Sequence, residues 1–256
     1  MSVTSVPVDA VLFDMDGTLI DSTPALVAAW SEFCKKYDLD YDYVVNHCHG
    51  HRAVENFRRF VPSLTEEECE AEAVNFENRI IELAREAKQS GEKHKQITAI
   101  PGASNLIEEI KAGKPDSVKT QPWAIVTSAT ADYAAEVFDN ASVSSPPKTF
   151  VAADHVSAGK PDPQPYLLGA ELAGTHAKRC LVVEDAPAGA IAGKRAGAQV
   201  IGLRTTHNES ERLWEANADY VVKDLTKVHA HWEGEQMYID VHSEAKPSSV
   251  ANQASL

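Results

Sequence analysis

Three short apolar runs end abruptly in polar or acidic residues, and this pattern constrains the fold more than any other feature of the chain. Val8-Asp9-Ala10-Val11-Leu12-Phe13 leads into Asp14-Met15-Asp16-Gly17. Trp123-Ala124-Ile125-Val126 leads into Thr127-Ser128, and Cys180-Leu181-Val182-Val183 into Glu184-Asp185. Runs without apolar/polar alternation predict strands covered on both faces. Further strands are expected at Thr149–Ala152, Val200–Leu203 and Tyr220–Val222, with helical patterns between them. Strands alternating with helices predict an α/β fold, a doubly wound parallel sheet of Rossmann-like type.

One block interrupts that alternation. Asp21-Ser22-Thr23-Pro24 has the form of a helix start with a capping side chain, and Leu26, Trp30, Phe33 and Tyr37 follow at helical spacing. Thr65-Glu66-Glu67-Glu68 is a capping-box pattern. Cys69, Ala73, Phe76, Ile80, Leu83 and Ala87 then form one apolar stripe on a long helix whose outer face is rich in Glu. The expected organisation is an α/β core over residues 1–20 and 97–241, an all-helical cap inserted at 21–96, and a disordered tail at 242–256.

Composition narrows the function classes. Hydrophobic residues make up 43% of the 256 positions and charged residues 24%, which excludes wholesale disorder. The formal charge of −14 opposes a nucleic-acid partner, because such affinity rests on Lys and Arg neutralising phosphates. No apolar run approaches the ~20 residues of a membrane-spanning helix, and the first residues lack the basic and apolar regions of a signal peptide. Four scattered cysteines without a CxxC pair suit a reduced, cytoplasmic chain, expected to be a monomer. The glycosylation sequons at Asn140 and Asn208 are read as chance matches.

Ligands of open α/β sheets bind beyond the carboxyl ends of the strands. There the chain would gather Asp14, Asp16, Glu184 and Asp185 with Thr127, Ser128 and the Lys160 of Gly159-Lys160-Pro161. Carboxylates crowded in a small site cannot all ionise without a compensating cation. A set of oxygen ligands without a Cys/His group favours Mg²⁺ over Zn²⁺. With Mg²⁺ and Lys160 the site accepts a phosphate; one carboxylate could attack phosphorus and another could move protons.

These residues, in this order, resemble the motifs of the haloacid dehalogenase superfamily: Asp14-Met15-Asp16-Gly17-Thr18, Thr127, Lys160 and Glu184-Asp185, each after its strand. The resemblance spans roughly residues 8 to 240, with a helical cap of the C1 type. Cys48-His49-Gly50-His51-Arg52, Gly159–Tyr166 and Glu184–Gly189 further resemble the fungal glycerol-phosphatase and 2-deoxyglucose-6-phosphatase group. It implies Asp14 as nucleophile and Mg²⁺ ligand, and Asp16 as general acid/base that binds Mg²⁺ through its backbone carbonyl. It implies Thr127 and Lys160 on the phosphoryl group, Asp185 as metal anchor, and Glu184 as a direct or water-mediated ligand. Gly50, Arg52 and Ser128 would bind substrate, with Arg52 the leading specificity candidate. The implied activity is a Mg²⁺-dependent phosphatase acting on a small sugar or polyol phosphate through an aspartyl-phosphate.

Several alternatives stand beside this reading. An EF-hand beginning at Asp14 fails, because its sixth and twelfth positions are Leu19 and Ala25. Asp185 could cap the following helix, and Arg52 could be a surface ion pair. His47, His49 and His51 would share a face only on a strand, which Gly50 and the helical surroundings oppose, so a zinc site there is disfavoured. Lys114, in a second Gly-Lys-Pro, lies before the Thr127 strand and is read as a solvated loop residue. A phosphomutase of the β-phosphoglucomutase type shares every motif and differs in the acceptor of the phosphoryl group. A phosphonate hydrolase would need a Schiff-base lysine in the cap, and a non-catalytic phosphate-ligand protein would show decayed motifs.

Overall fold

The computed structural model describes residues 3–141, 143, 149–206 and 210–247. Its strands are β1 (Val3–Val8), β2 (Ala10–Phe13), β3 (Ile20–Asp21), β4 (Thr98–Ala99), β5 (Trp123–Val126), β6 (Phe150–Val151), β7 (Cys180–Glu184), β8 (Gln199–Leu203), β9 (Tyr220–Val222), β10 (Val228–Glu233) and β11 (Gln236–His242). Its helices are α1 (Thr23–Tyr37), α2 (Tyr41–His47), α3 (Ala53–Phe60), α4 (Glu66–Ser90), α5 (Ala103–Ala112), α6 (Ala131–Asn140), α7 (Gln164–Leu172), α8 (Pro187–Ala196) and α9 (Glu211–Glu215).

The apolar runs form a six-stranded parallel sheet in the order β6-β5-β2-β7-β8-β9. Successive side chains of a strand point to opposite faces. Val11, Phe13, Ile125, Leu181, Val183 and Ile201 therefore pack on one side with α5 and α6, in the same cluster as Leu106, Ile110 and Val137. Ala10, Leu12, Ala124, Val126, Val182 and Val200 pack on the other with Tyr166 and Ala170 of α7 and Ala190, Ala192 and Ala196 of α8. Both faces are covered, which explains why the runs show no alternation. β2 lies inside the sheet, between β5 and β7, so the residues following these three strands emerge side by side.

Helices α1 to α4 form the cap. Trp30 is its centre: its ring centroid lies 4.4 Å from that of Phe76 and 5.5 Å from that of Phe57. Helix α4 begins with both bonds of the Thr65/Glu68 capping box and ends on Gly91. The chain enters and leaves the cap through the paired strands β3 and β4, Ile20 opposite Ala99 and Asp21 opposite Thr98. The two crossings are thus held together by backbone hydrogen bonds at one place.

Three expectations change. Ser22 is the N-cap of α1, but its side chain makes no capping bond; its hydroxyl is engaged elsewhere. The first apolar run is divided at Asp9: Val3–Val8 joins β10 and β11 in a three-stranded antiparallel sheet of order β1-β11-β10. Residue 242 does not begin a tail, because His242 closes β11 opposite Val3, Glu244 N–H donates to the Val221 carbonyl, and Glu244 pairs with Arg204. Residues 248–256 and the sequon positions Ser142, Asn208 and Glu209 lie outside the described residues.

Candidate active site

The ends of β2, β5 and β7 bring the acidic residues together. Asp14 follows β2, and its N–H donates to the Val183 carbonyl of β7. The loop before α7 inserts Lys160, which is 1% exposed, beneath them. Its ammonium donates to Asp14 Oδ1 at 2.6 Å, Glu184 Oε1 at 2.7 Å and the Val126 carbonyl at 2.9 Å. Those three acceptors use the three protons of the ammonium and bind the ends of the three strands together. Tyr166 OH also donates to Glu184 Oε1, at 2.7 Å. Glu184 Oε2 accepts the N–H groups of Asp185 and Ala186, both at 3.2 Å. Glu184, and not Asp185, therefore satisfies backbone donors at the start of α8, whose N-cap is Ala186.

Asp185 is held by hydroxyls instead. Its Oδ1 accepts from Thr18 Oγ1 at 3.1 Å, and its Oδ2 accepts from Thr206 Oγ1. Gly17 sits at φ +82°, a left-handed conformation, and a Cβ there would collide with the Asp185 carboxylate. The turn after Asp16 can approach the second acidic strand end only because position 17 has no side chain.

One oxygen from each of Asp14, Glu184 and Asp185 lies within 4.8 Å of the others, and all three residues are buried. Burial pushes the Asp14 carboxyl well above its ordinary range; Lys160 opposes this, while Glu184 and Asp185 add to it. Burial, then repulsion from Glu184, pushes the Asp185 carboxyl up to about 7. Burial alone would lower the pKa of Lys160, but Asp14 and Glu184 outweigh it and hold the ammonium protonated. One ammonium among three buried carboxylates leaves the cluster short of positive charge. Its oxygen-only donor set fits a hard divalent cation. Among the described residues this is the one group of three or more acidic, His or Cys side chains close enough to hold a metal, and the three histidines near Gly50 do not form another.

The Asp16 carboxylate stands outside that cluster and faces the cap side. Its Oδ1 accepts from Ser22 Oγ at 2.6 Å and from Tyr133 OH at 3.0 Å. Burial raises its pKa, against the lowering effect of these two donors. Asp14, Asp16, Thr127, Ser128 and Gly50 line one cavity of about 80 Å³ between core and cap, together with Trp30, Phe76 and Ile80 of the cap. Thr127 Oγ1 accepts the Ala129 N–H at 3.1 Å. Ser128 Oγ donates to the Gly50 carbonyl at 3.0 Å, a direct link from core to cap. Gly50, at φ +78°, lies so close to Ala186 that a Cβ would strike its methyl group.

Arg52 is placed differently from the leading specificity residue expected. It is not among the residues lining the cavity. Its Nε donates to Glu55 Oε1 at 2.7 Å and its side chain rests against Gly159. Glu55 follows at i+3 on the first turn of α3 and takes up the guanidinium in a part-buried pair, not the surface pair of the alternative reading. Lys114 is part-buried, with its ammonium donating to the Val118 carbonyl.

Sequence reasoning missed Ser22, Tyr133, Tyr166 and Glu77. Glu77 lies on the face of α4 next to the apolar stripe and is 8% exposed. It accepts from Thr130 N–H at 3.2 Å and from Thr130 Oγ1. Burial pushes its carboxyl up to about 7, with Asp16 among the charges that add to the shift. Its position beside Phe76 and Ile80 was the only available signal, since a Glu next to an apolar stripe also suits a helix edge.

Comparison with known proteins agrees with this geometry. Residues 11–203 match the family Haloacid dehalogenase-like hydrolase. The chain belongs to that family. Among its curated relatives, Hexitol phosphatase A of Escherichia coli is 39% identical over 218 residues, covering 85% of this chain and 91% of that protein. Two Saccharomyces cerevisiae relatives are similar over 86% of this chain. 2-Deoxyglucose-6-phosphate phosphatase 2 is 34% identical with 89% of its own length covered, and Glycerol-1-phosphate phosphohydrolase 2 is 35% identical with 84% covered. A hydrolase from Pseudomonas syringae has the same fold, with TM-score 0.71 and 26% identity over 85% of this chain and 94% of that one. The α/β haloacid dehalogenase core with a helical cap, expected from the motifs, is the fold observed.

Proposed function

We propose that the chain is a Mg²⁺-dependent phosphatase that hydrolyses a small sugar or polyol phosphate. The observation that carries this reading is the pairing of two differently supported carboxylates: Asp14, against the buried ammonium of Lys160, and Asp16, against two hydroxyl donors. Groups two positions apart, with different partners, can take the roles of nucleophile and acid/base.

Asp14 Oδ1 is held by Lys160, and its second oxygen attacks phosphorus. The bond from phosphorus to the ester oxygen breaks as the acyl-phosphate bond forms. Asp16 enters protonated and gives its proton to the departing alkoxide. Ser22 and Tyr133 both donate to Oδ1, which leaves Oδ2 to carry that proton. Asp16 then takes a proton from water as the water attacks phosphorus, which releases phosphate and regenerates Asp14. Thr127 supplies a hydroxyl donor to the phosphoryl oxygens, and Lys160, whose three protons are held by Asp14, Glu184 and the Val126 carbonyl, supplies positive charge placed before charge develops. Asp14 and Asp185, with Glu184 and the Asp16 carbonyl beside them, are the residues that would hold Mg²⁺. Bound there, the ion would neutralise the excess carboxylate and phosphate charge. Glu184 has both oxygens occupied by Lys160, Tyr166 and backbone N–H groups, so it serves chiefly to orient Lys160. The cap excludes bulk water from the acyl-phosphate.

The sugar or polyol class is supported by what the relatives are named for, hexitol, 2-deoxyglucose-6-phosphate and glycerol-1-phosphate hydrolysis. The four free, buried cysteines suit a reducing cytoplasm. No helix among the described residues is long and apolar enough to cross a membrane. The test is phosphate release, with Mg²⁺, from glycerol phosphates, hexitol phosphates, 2-deoxyglucose 6-phosphate and glucose 1-phosphate. Release from a polyol or hexose phosphate supports the reading. Isomerisation of glucose 1-phosphate without phosphate release would replace it with phosphoryl transfer between sugar hydroxyls.

A further inference from the structure

The first turn of α6 is held from two sides. Thr130, its N-cap, donates its N–H to Glu77 Oε1 at 3.2 Å and its hydroxyl to Glu77 Oε2, and Glu77 belongs to the cap helix α4. The next N–H, that of Ala131, goes to Asp154 Oδ1 in the core at 3.0 Å. Tyr133 lies in the same turn. Its N–H closes on Thr130 Oγ1 at 3.5 Å, and its hydroxyl donates to Asp16 Oδ1 at 3.0 Å. Glu77 and Tyr133 are both buried, and both line the cavity with Asp16. The ring of Tyr133 packs in the core cluster with Val137 and Phe138, a place that Phe would fill equally well. Only the hydroxyl requires Tyr, and a buried hydroxyl without a partner is costly. Here the partner is the carboxyl that has to meet the ester oxygen. Likewise, a Leu at position 77 would extend the apolar stripe of Phe76 and Ile80 without the cost of burying a carboxylate.

We infer that Tyr133 is a positioning residue for the transfer of the Asp16 proton to the leaving group, and that Glu77 of the cap acts on the same step through Thr130. The inference rests on the phosphatase reading and deepens it, since it names the residues that aim Asp16 and the route by which α4 reaches it. Ser22, at the start of the cap, supplies the other donor to Oδ1. Two donors arriving from different elements fix the plane of the carboxyl, so that Oδ2 keeps one direction. Without the Tyr133 hydroxyl, Ser22 alone holds Oδ1 and the carboxyl gains freedom to turn. A displacement of about 1 Å is enough to slow a reaction a hundredfold. Without Glu77, the first turn of α6 keeps its bond to Asp154 and loses both bonds to α4, and the Tyr133 hydroxyl moves with that turn.

The experiment compares kcat/KM for glycerol 1-phosphate or hexitol 6-phosphate, whichever is cleaved faster, with kcat/KM for acetyl phosphate, each with Mg²⁺. In both, Asp14 takes the phosphoryl group as the bond from phosphorus to the departing oxygen breaks. The alkoxide leaves with the proton of Asp16 as an alcohol, whereas acetate leaves as a stable anion and needs no proton. Tyr133→Phe should lower kcat/KM for the polyol ester by about tenfold to a hundredfold and leave acetyl phosphate within about threefold. Glu77→Leu should shift the ratio in the same direction by about threefold to thirtyfold, and change it by less than about twofold when added to Tyr133→Phe. Acetyl phosphate turnover also reports whether a variant has folded; if Tyr133→Phe does not fold, Tyr133→Leu is judged by the same ratio. If the unmodified protein cleaves the ester but not acetyl phosphate, the ester alone decides. A fall in kcat with KM within about twofold then supports the inference, and a rise in KM at unchanged kcat overturns it. Equal loss on both compounds, or an unchanged ratio, overturns the inference and makes Tyr133 a packing residue. Effects of the two substitutions that multiply overturn the route through Thr130. If the unmodified protein cleaves neither compound, the phosphatase reading fails and the inference with it.

Discussion

Lys160 Nζ and Asp14 Oδ1 are 2.6 Å apart, although 146 positions separate them in the chain, and both side chains are almost wholly buried. Glu184 completes the group at 2.7 Å from the same ammonium. Removing the cation would leave two carboxylates facing each other without water. Lys160→Met should therefore destabilise the protein by about 3–5 kcal/mol, the usual result of leaving a buried charge unpaired. Urea unfolding at neutral pH measures it. A change under ~1 kcal/mol would show that the group is not held as a buried ion-pair network.

Asp14→Asn keeps the volume of the side chain and removes its nucleophilic oxygen. Phosphate release should fall by at least about a thousandfold, while the unfolding midpoint stays equal or rises as one buried negative charge disappears. Activity within tenfold of the original would show that Asp14 does not attack phosphorus.

The uncompensated charge of Asp14, Glu184 and Asp185 makes cation binding and folding linked events. Mg²⁺ at about one hundred times its dissociation constant should add roughly 2.7 kcal/mol of stability, and chelation should remove both this and the activity. Asp185→Asn should weaken Mg²⁺ binding and shrink the thermal shift. An Asp185→Asn variant with the same Mg²⁺-dependent shift as the parent would place the ion elsewhere.

Glu77 joins cap to core through Thr130, and its carboxyl titrates at about 7 instead of its ordinary 4.5. A raised pKa means that the folded state favours the protonated form. The stabilising effect is complete below the ordinary value and is lost as pH rises through about 7. At about 1.4 kcal/mol per unit, the full loss is roughly 3 kcal/mol. Glu77→Gln has no proton to lose, so between pH 5 and pH 8 it should lose less stability than the parent by an amount of this order. Identical pH profiles for the two proteins would mean that Glu77 is not buried against Thr130.

Much of the site was legible because its signals are local. A strand covered on both faces must be continuously apolar, and its polar termination marks where the chain reaches the ligand-binding edge. Asp14, Thr127, Glu184 and Asp185 lie at such ends, and Lys160 follows by its order in the chain. The hairpin of β10 and β11 was not among the expected strands, although Met237, Ile239 and Val241 are buried in strict alternation after the Gly234-Glu235 turn. Local pattern could not show that Val3–Val8 completes that sheet from the far end of the chain.

The sequence by itself determined the parallel α/β core, the inserted helical cap and the acidic strand ends, because each depends on the order and periodicity of neighbouring residues. Only the tertiary structure decided which cap residues face the carboxylates. Arg52 is drawn to Glu55, Ser22 and Tyr133 converge on Asp16, Glu77 reaches Thr130, and Asn56 Nδ2 donates to the Cys48 carbonyl. Those outcomes depend on how two surfaces meet across the seam between cap and core. The charge and hydrogen-bonding capacity of a side chain do not disclose its partner until that seam is formed.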